Sequence, residues 1–393
     1  MQAPATLEIL ERLIGFRSVC TAKDYLAITD YIESFLKERG FRCHRHTAPE
    51  GGKAGLFAAV GPAGAGGVLL SAHLDVVPVA GQDWSSDPFV MTRKEDRVYG
   101  RGTADMKGFA AAALRAADKA AQLAVRKQLV APLKLAFSYD EELGCLGIND
   151  MIPHLESAIG LPDCCLVGEP TSMRLAVGHK GKVSYRVTIR GSSGHSAAAP
   201  NYLNALHMAV DFIGILRDLQ ADIAANGARD DAYEIPYTTV HVGVLSGGTT
   251  LNMVPNSAEL EFEIRHLAVD RPEEILERIR TKAAAIVCRL QPVHPQASIR
   301  IEEMNAYPGL DIPGSSEAAE LFGLLGGIAP AVKVDFGTEA GFFHEALGIP
   351  TIVCGPGNID QAHKPDEFID ISQLDACDTM LDLLIGHLAQ GSA

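Results

Sequence analysis

The stretch that decides the fold is Leu69-Leu70-Ser71-Ala72-His73-Leu74-Asp75-Val76-Val77-Pro78. Its apolar residues predict a buried strand, and side chains two positions apart lie on the same face of a strand. His73 and Asp75 therefore share one face where the strand ends. A carboxylate beside a histidine can hold one ring N–H and orient the other nitrogen toward a metal ion. A single pair of this kind is more often a hydrogen-bonded surface pair, so further ligands have to be found along the chain.

The composition is that of a two-domain globular protein. The 393 residues exceed the size at which one hydrophobic core keeps growing, and 47% of them are hydrophobic. The formal net charge of −15 argues against binding to nucleic acid, which needs a basic surface. Metal-ligating carboxylates can account for part of this acidity, because bound cations would offset their charge.

The cysteines and the apolar segments indicate the compartment. Eight cysteines lie scattered without any C-x-x-C spacing, which predicts reduced thiols rather than a disulfide framework or a zinc knuckle. Residues 1–16 predict an amphipathic helix whose charged residues exclude a signal peptide. Since no apolar run reaches the ~18 residues that span a bilayer, we expect a cytoplasmic protein with no membrane contact.

Two further buried strands lead into acidic residues. Leu133–Tyr139 is followed by Asp140-Glu141-Glu142, and Cys164–Val167 is followed by Gly168-Glu169-Pro170. The alanine-rich segment 109–126 predicts one of the helices between the strands. Strands that alternate with helices and carry polar residues at their carboxyl ends are typical of an open α/β sheet with a site in its crevice.

A different pattern begins near Gly178. Six elements in the order β-α-β-β-α-β are predicted over Lys182–Arg190, Asn204–Asn226, Tyr237–Leu245, Ala258–Arg265, Pro272–Gln291 and Ser298–Met304. This order is that of a ferredoxin-like unit, which can enclose its own core. The sequence thus predicts an open mixed-sheet α/β domain formed by residues 1–179 and 307–393, with a ferredoxin-like domain inserted at 180–306.

The strand ends and loops of the first domain carry several polar clusters. These are His73 with Asp75, Asp105, Glu141 with Glu142, Glu169, and His363. Each has an ordinary structural explanation, such as a helix N-cap for Asp105 or a turn residue for Glu169. Together they supply two imidazoles and several carboxylates, the ligands that suit two zinc-like ions a few ångströms apart. Five such ligands leave one acidic residue free to take a proton from water.

Six blocks of the sequence resemble, in order, the motifs of the M20 family of di-zinc amidohydrolases. The blocks are Ser71-Ala72-His73-Leu74-Asp75-Val76-Val77-Pro78, Gly100-Arg101-Gly102-Thr103-Ala104-Asp105-Met106-Lys107-Gly108, Asp140-Glu141-Glu142, Gly168-Glu169-Pro170, Gly194-His195-Ser196 and Gln361-Ala362-His363. Ordered agreement of several blocks is far more specific than any single block. The resemblance implies a catalytic α/β domain with an inserted lid domain that makes a homodimer contact.

The resemblance also implies how the metal ions are held. Asp105 would bridge two divalent cations, with Zn²⁺ expected and Co²⁺ as an alternative. His73 and Glu169 would hold one ion, and Glu142 and His363 would hold the other. The peptide bond that follows the bridging aspartate would be cis.

Five other residues receive roles from the same resemblance. Glu141 would be the general base, and Asp75 would orient the first histidine ligand. His195 would stabilise the oxyanion of the substrate bound by the partner protomer. Asn252 would donate hydrogen bonds to the substrate, and Arg265 would clamp its carboxylate through two parallel hydrogen bonds.

The segment Phe336-Gly337-Thr338-Glu339-Ala340 distinguishes branches of the family. It resembles the branch that deacetylates acetylornithine, and Thr338 and Glu339 are expected to bind the substrate. A glutamate there would suit the cationic side chain of ornithine. The resemblance therefore implies hydrolysis of N2-acetyl-L-ornithine to L-ornithine and acetate, a step of arginine biosynthesis.

Two other hypotheses stay open from the sequence. One is another M20 amidohydrolase, such as an aminoacylase, a carboxypeptidase or a succinyl-diaminopimelate desuccinylase. The other is a non-catalytic metal-binding interaction protein. The presence of Glu141 argues against the second, because a protein without activity has no need to keep its base.

Overall fold

A computed structural model describes residues 5–390 and divides the chain into two units. The first unit runs to Gly178 and also contains Leu310–Val334 and the chain from Thr338 onward. The second unit contains His179–Gly309 and Asp335–Gly337. That the first unit is catalytic and the second acts as a lid remains a prediction.

The first unit begins with alternating helices and strands. Its first helices are α1 (Thr6–Ile14), α2 (Leu26–Lys37), α3 (Gly108–Val125), α4 (Leu146–Met151) and α5 (Leu155–Ile159), with short helical turns at Thr103–Lys107 and Ile152–His154. Its first strands are β1 (Arg42–Thr47), β2 (Ala54–Val60), β3 (Val68–His73), β4 (Thr92–Lys94), β5 (Arg97–Tyr99), β6 (Leu133–Ser138), β7 (Cys164–Val167) and β8 (Arg174–His179). The predicted N-terminal helix is found as α1, and its first four predicted residues lie outside the described part of the chain.

The second unit follows the predicted order of elements. Its elements are β9 (Gly181–Arg190), β10 (Gly194–His195), a helical turn at Ser196–Asn201, α6 (Ala205–Asn226), β11 (Thr239–Gly247), β12 (Met253–Val254), β13 (Ser257–His266), α7 (Pro272–Leu290) and β14 (Ser298–Tyr307). The long strands form an antiparallel sheet in the order β11-β13-β9-β14, and β10 pairs with β12 as a separate small ribbon. Without that ribbon, the order is the predicted β-α-β-β-α-β.

The core of the second unit follows from alternation along its strands. Buried and less buried residues alternate along β9 and β13, so each strand turns one apolar face toward the helices. Phe212 of α6 packs on Phe262 of β13 with ring centroids 6.0 Å apart, and Phe262 stacks on Tyr185 of β9. Helix α6 begins where it does because the Asn204 side chain accepts the backbone N–H of Leu206.

The chain then returns to the first unit and completes its sheet. The remaining elements are β15 (Leu310–Asp311), α8 (Glu317–Leu324), β16 (Ile328–Val334), α9 (Ala340–Leu347), β17 (Thr351–Val353), a helical turn at Ile359–Gln361, β18 (Phe368–Asp370) and α10 (Ile371–Gln390). The large sheet has the order β1-β2-β6-β3-β7-β17-β8-β15, with β16 paired to β8. A small sheet, β18-β5-β4, lies outside it.

Strand β3 occupies the position in the large sheet that determines where the site forms. It is parallel to both of its neighbours, β6 and β7, and every residue of the three strands is buried. In the register, His73 lies opposite Ser138, the last residue of β6. Because the carboxyl ends of parallel strands meet at one edge, the loops after these strands converge there. The mixed sheet confirms the predicted α/β fold class.

None of the helices within residues 5–390 is both long enough and apolar enough to cross a membrane.

Candidate metal centre

Three predicted site residues stand at the ends of the three parallel strands. His73 is the last residue of β3, Glu142 lies in the turn after β6, and Glu169 follows β7 by two positions. Two more come from loops: Asp105 lies in the turn before α3, and His363 lies between the last helical turn and β18. The peptide bond between Asp105 and Met106 is cis, as the resemblance implied.

The Asp105 carboxylate lies between the two histidines. Its Oδ1 atom is 3.1 Å from Nε2 of His73, and its Oδ2 atom is 3.1 Å from Nε2 of His363. The two oxygens of one buried carboxylate thus face imidazoles that are 290 residues apart in the sequence. This is the arrangement expected of a carboxylate shared by two cations.

Glu169 and Glu142 complete the two sides of this arrangement. Glu169 Oε1 lies 3.9 Å from Nε2 of His73, and Glu142 Oε2 lies 3.1 Å from Nε2 of His363. Within residues 5–390, ligand atoms of His73, Asp105 and Glu142 lie within 4.8 Å of one another. The structure therefore brings all five predicted metal ligands together.

Glu141 belongs to the same cluster by position. A carboxylate oxygen of Glu141, a ring nitrogen of His73 and a carboxylate oxygen of Glu169 all lie within 4.8 Å of one another. The thiol of Cys145 donates a hydrogen bond to Glu141 Oε1 at 3.3 Å. Because Glu141 lies as close to His73 as a ligand would, its assignment as a base that binds no metal remains a prediction.

Asp75 supports the acidic turn as well as the histidine. Its two carboxylate oxygens accept the backbone N–H groups of Glu141 and Glu142, each at 3.1 Å. Nδ1 of His73 lies 3.0 Å from the backbone oxygen of Asp75 and 3.6 Å from its carboxylate. The sequence predicted that Asp75 orients the His73 ring. The hydrogen bonds that Asp75 accepts from the backbone of the acidic turn could be seen only in the structure.

The carboxylates around both imidazoles favour the charged form of each ring. Hydrogen bonds to Asp105 and Glu142 raise the pKa of His363 to about 10. Burial lowers the pKa of His73, but hydrogen bonds to Asp105 and Asp75 outweigh burial and raise it well above its usual value. Burial works against the ionised form of Asp105 too, yet the two histidines bring its pKa well below its usual value.

The other acids of the cluster show the opposite shift. Burial, followed by the nearby Asp105 charge, raises the pKa of Glu142 to about 6. Burial also raises the pKa values of Glu141 and Glu169 well above the usual range for a glutamate. Buried carboxylates that crowd together favour protonation because like charges repel and are poorly hydrated.

Divalent cations fit this set of side chains. Two imidazole nitrogens and several carboxylate oxygens are the ligands preferred by zinc-like ions, and they converge from five separate segments. Two cations would also relieve the repulsion among the buried acids. The donor set thus agrees with the predicted dinuclear centre.

Three of the predicted site residues lie in the second unit. His195 is exposed in β10, opposite Met253 of β12, and its Nδ1 accepts the N–H of Ala197. The backbone oxygen of Asn252 accepts the N–H of Ser196, so Asn252 lies close to His195 within this unit. Arg265 lies on β13, where its Nε donates to Glu263.

Thr338 and Glu339 belong to the first unit, and both are buried. The Thr338 hydroxyl accepts the N–H of Ala340, in the first turn of α9. Glu339 is only 1% exposed, and its Oε2 accepts a hydrogen bond from Ser71 on β3 at 3.4 Å. Burial raises the pKa of Glu339 to about 7, and its Oε1 atom has no hydrogen-bond partner within residues 5–390.

Sequence reasoning missed a residue that holds the Asp105 loop. The carboxylate of Glu367 accepts the backbone N–H groups of Ala104 and Asp105 at 2.9 and 3.1 Å. It is also paired with the buried Arg101 at 2.7 Å. The only signal in the sequence was an acidic residue four positions after His363, which is also common in exposed loops.

Comparison with known proteins agrees with this geometry. Residues 69–387 match the model of peptidase family M20/M25/M40. The acetylornithine deacetylase of Pasteurella multocida is 33% identical over 99% of this chain and 99% of its own length.

Solved structures agree on the fold. An M20 family metallo-carboxypeptidase from Sulfolobus solfataricus superposes with a TM-score of 0.78, at 18% identity over 98% of this chain and 99% of its own. A dinuclear metal binding peptidase of the same family from Bacillus subtilis gives a TM-score of 0.67, at 16% identity over 97% and 96% of the two chains. From the matched family model and the similarity to the Pasteurella multocida deacetylase, we conclude that the chain belongs to peptidase family M20/M25/M40 and is a hydrolase of amide bonds.

Proposed function

We propose that the protein hydrolyses N2-acetyl-L-ornithine to L-ornithine and acetate with two divalent cations. The observation that carries this proposal is the Asp105 carboxylate, whose two oxygens face His73 and His363. The similarity to an acetylornithine deacetylase over the full length of both chains supports the choice of substrate. A role in arginine biosynthesis depends on that substrate and remains a prediction. The cytoplasmic location expected from the sequence also remains a prediction.

The two cations would occupy the positions between the histidines and the acids. His73, Glu169 and one oxygen of Asp105 would hold the first, and His363, Glu142 and the other oxygen of Asp105 would hold the second. Zn²⁺ fits these ligands, and Co²⁺ would fit them as well. When bound, the cations would supply Lewis-acid activation of water and of the amide carbonyl.

Glu141 would move the proton that the reaction requires. Its carboxylate takes a proton from water as the water oxygen attacks the acetyl carbon. It then gives that proton to the amine nitrogen as the C–N bond breaks, which leaves acetic acid and a free amine. The remaining O–H proton of the acid passes to that amine, so acetate and the ammonium form of ornithine leave with atoms and charge balanced. Asp75 would hold the backbone of the acidic turn so that Glu141 keeps its position.

The residues of the second unit would bind the substrate. His195 would donate to the oxyanion that develops on the carbonyl oxygen of the substrate in the partner protomer. Asn252 would donate hydrogen bonds from its side chain. Arg265 would bind the free carboxylate of the amino acid.

A homodimer through the second unit is supported by the outer edge of its sheet. Strand β11 pairs only with β13 among the described strands, so its other edge is open. Val244 and Leu245 on this strand are 50% and 45% exposed. An open edge strand with exposed apolar side chains is suited to pairing with a second copy of the chain.

The choice of substrate can be tested with a panel of N-acyl amino acids. We expect kcat/KM to be highest for acetylornithine in a comparison with acetylmethionine and N-succinyl-diaminopimelate, measured as released amine. A chelator should abolish the release, and Zn²⁺ or Co²⁺ should restore it. A clear preference for another substrate would overturn the proposed specificity, and no metal-dependent release from any of them would overturn the enzymatic proposal.

The Glu141→Gln variant tests the base. Because the amide cannot accept the proton, kcat for acetylornithine should fall by at least ~10²-fold. The metal content after dialysis should equal that of the wild type, since the five proposed ligands are unchanged. The matched control is Glu142→Gln, which should lose metal as well as activity. A Glu141→Gln enzyme with nearly wild-type kcat would rule out this residue as the base.

The Glu339→Gln variant tests selection of a cationic substrate. Since Glu339 is 1% exposed, its charge would act through the protein interior, and its loss should cost about tenfold in the ratio of kcat/KM for acetylornithine to that for acetylmethionine. Glu345→Gln, at an exposed position of helix α9, which begins directly after Glu339, should leave this ratio unchanged. An unchanged ratio for Glu339→Gln would show that this carboxylate does not select the substrate.

The Val244→Lys variant tests the dimer. We expect the wild type to have twice the 41.8 kDa mass of one chain in size-exclusion chromatography with light scattering. A lysine on the open edge should shift the mass to that of the monomer, because pairing would bury its charge. Val125→Lys, at the exposed end of α3 in the first unit, should remain dimeric. A monomeric wild type would contradict the proposed dimer, and a dimeric Val244→Lys protein would contradict the interface.

A further inference from the structure

We propose that Gln82 is a positioning residue that fixes His363 for the second cation. The inference rests on the proposed two-metal site and extends it to a residue outside the ligand set. Its basis is a continuous chain of hydrogen bonds from the backbone of His363 to the backbone of Asp105. The residues of this chain come from three loops of the first unit.

His363 needs a support that packing does not provide. Its side chain is 52% exposed, unlike those of His73 and Asp105, which are 1% and 7% exposed. It also has a φ of +61°, in the left-handed region that non-glycine residues seldom adopt. A residue in this state keeps one position only when its backbone is held by neighbours.

The Gln82 side chain supplies such a hold. Its Nε2 donates to the backbone oxygen of His363 at 3.0 Å. Its Oε1 accepts from Nη2 of Arg101 at 2.6 Å and from Nε1 of Trp84 at 3.0 Å. Because both of these partners are donors, they fix which end of the amide is the oxygen and leave the amide nitrogen for His363.

Arg101 connects Gln82 to a buried anchor. Arg101 and Glu367 have side chains that are each 1% exposed, and Nη1 of the arginine lies 2.7 Å from Oε2 of the glutamate. A buried ion pair of this kind resists separation, since either charge alone would be costly in the interior. The guanidinium that binds Gln82 is therefore itself held by a buried ion pair.

Glu367 carries the connection to the bridging carboxylate. Besides the contacts to Ala104 and Asp105, it accepts the backbone N–H of Gly102 at 3.0 Å. Three N–H groups of one turn thus bind a single carboxylate. The chain Gln82, Arg101 and Glu367 consequently joins the backbone that presents His363 to the backbone that presents Asp105.

The expected consequence concerns the second cation alone. Metal ligands must hold their distances within about 0.2 Å, and outer partners that orient them typically change metal affinity by 10–100-fold. His363 is a ligand of the second ion in the proposed site, whereas the first ion is held by His73 and Glu169. Loss of the amide N–H at position 82 should weaken binding of the second ion and leave the first unchanged.

Calorimetric titration of the metal-free full-length protein with Zn²⁺ tests this inference. Gln82→Met and Gln82→Glu both lack the donor N–H, and only the second adds a charge. We expect both variants to bind the first ion as the wild type does and to bind the second ion 10–100-fold more weakly. Asp83→Asn, in the same loop, is the matched control and should bind both ions like the wild type.

The outcomes separate this inference from the proposed function. Wild-type affinity for both ions in the two Gln82 variants would overturn the role of Gln82 while leaving the two-metal site intact. Equal weakening of both ions, or a lower thermal unfolding temperature with no selective loss, would also overturn it, because that is the effect of a merely structural residue. A wild-type protein that does not bind two ions would overturn the proposed site itself and the inference with it.

Discussion

The shared Asp105 carboxylate is the interaction on which the rest of the structure depends. One of its oxygens faces His73 at the end of β3, and the other faces His363, which the chain reaches only after the second unit has been completed. A buried carboxylate between two imidazoles brings the beginning and the end of the first unit to one point. The parallel strands supply the other acids at that point because their carboxyl ends meet at the same edge.

Several buried carboxylates lie close together in this arrangement, and their mutual repulsion destabilises it unless positive charge is present. Burial raises the pKa values of Glu141, Glu142 and Glu169, which is the physical sign of anions placed where water cannot solvate them. Two further carboxylates fix the backbone of the cluster by accepting hydrogen bonds from N–H groups. Asp75 binds the turn that carries Glu141 and Glu142. Glu367 binds the turn that carries Asp105. The site is thus organised through its backbone as much as through its side chains.

The sequence predicts the site residues that stand at the ends of buried strands. Apolar runs ending in polar residues located His73, Glu141 and Glu169, because a buried parallel strand leaves a clear pattern. Asp105 and His363 lie outside the regular strands, where no period exists, so residue type alone made them candidate ligands, and their individual roles came only from the resemblance to a family. Gln82 and Glu367 could not be found, since their partners are backbone groups of distant segments. The short strands β15 and β18 were also missed because two or three residues give too little pattern. The seven-residue strand β16 was missed as well, and none of its residues is buried.

In the second unit, too, the long elements could be predicted from the sequence and the shortest strands could not. Alternation along β9 and β13 predicted its sheet and its helices in the right order, whereas the two-residue strands β10 and β12 left no signal.

The central claim is the dinuclear centre, and anomalous diffraction from zinc-soaked crystals tests it most directly. The account predicts two zinc peaks on either side of the Asp105 carboxylate, one beside His73 and one beside His363. A single peak, or peaks away from these histidines, would contradict it.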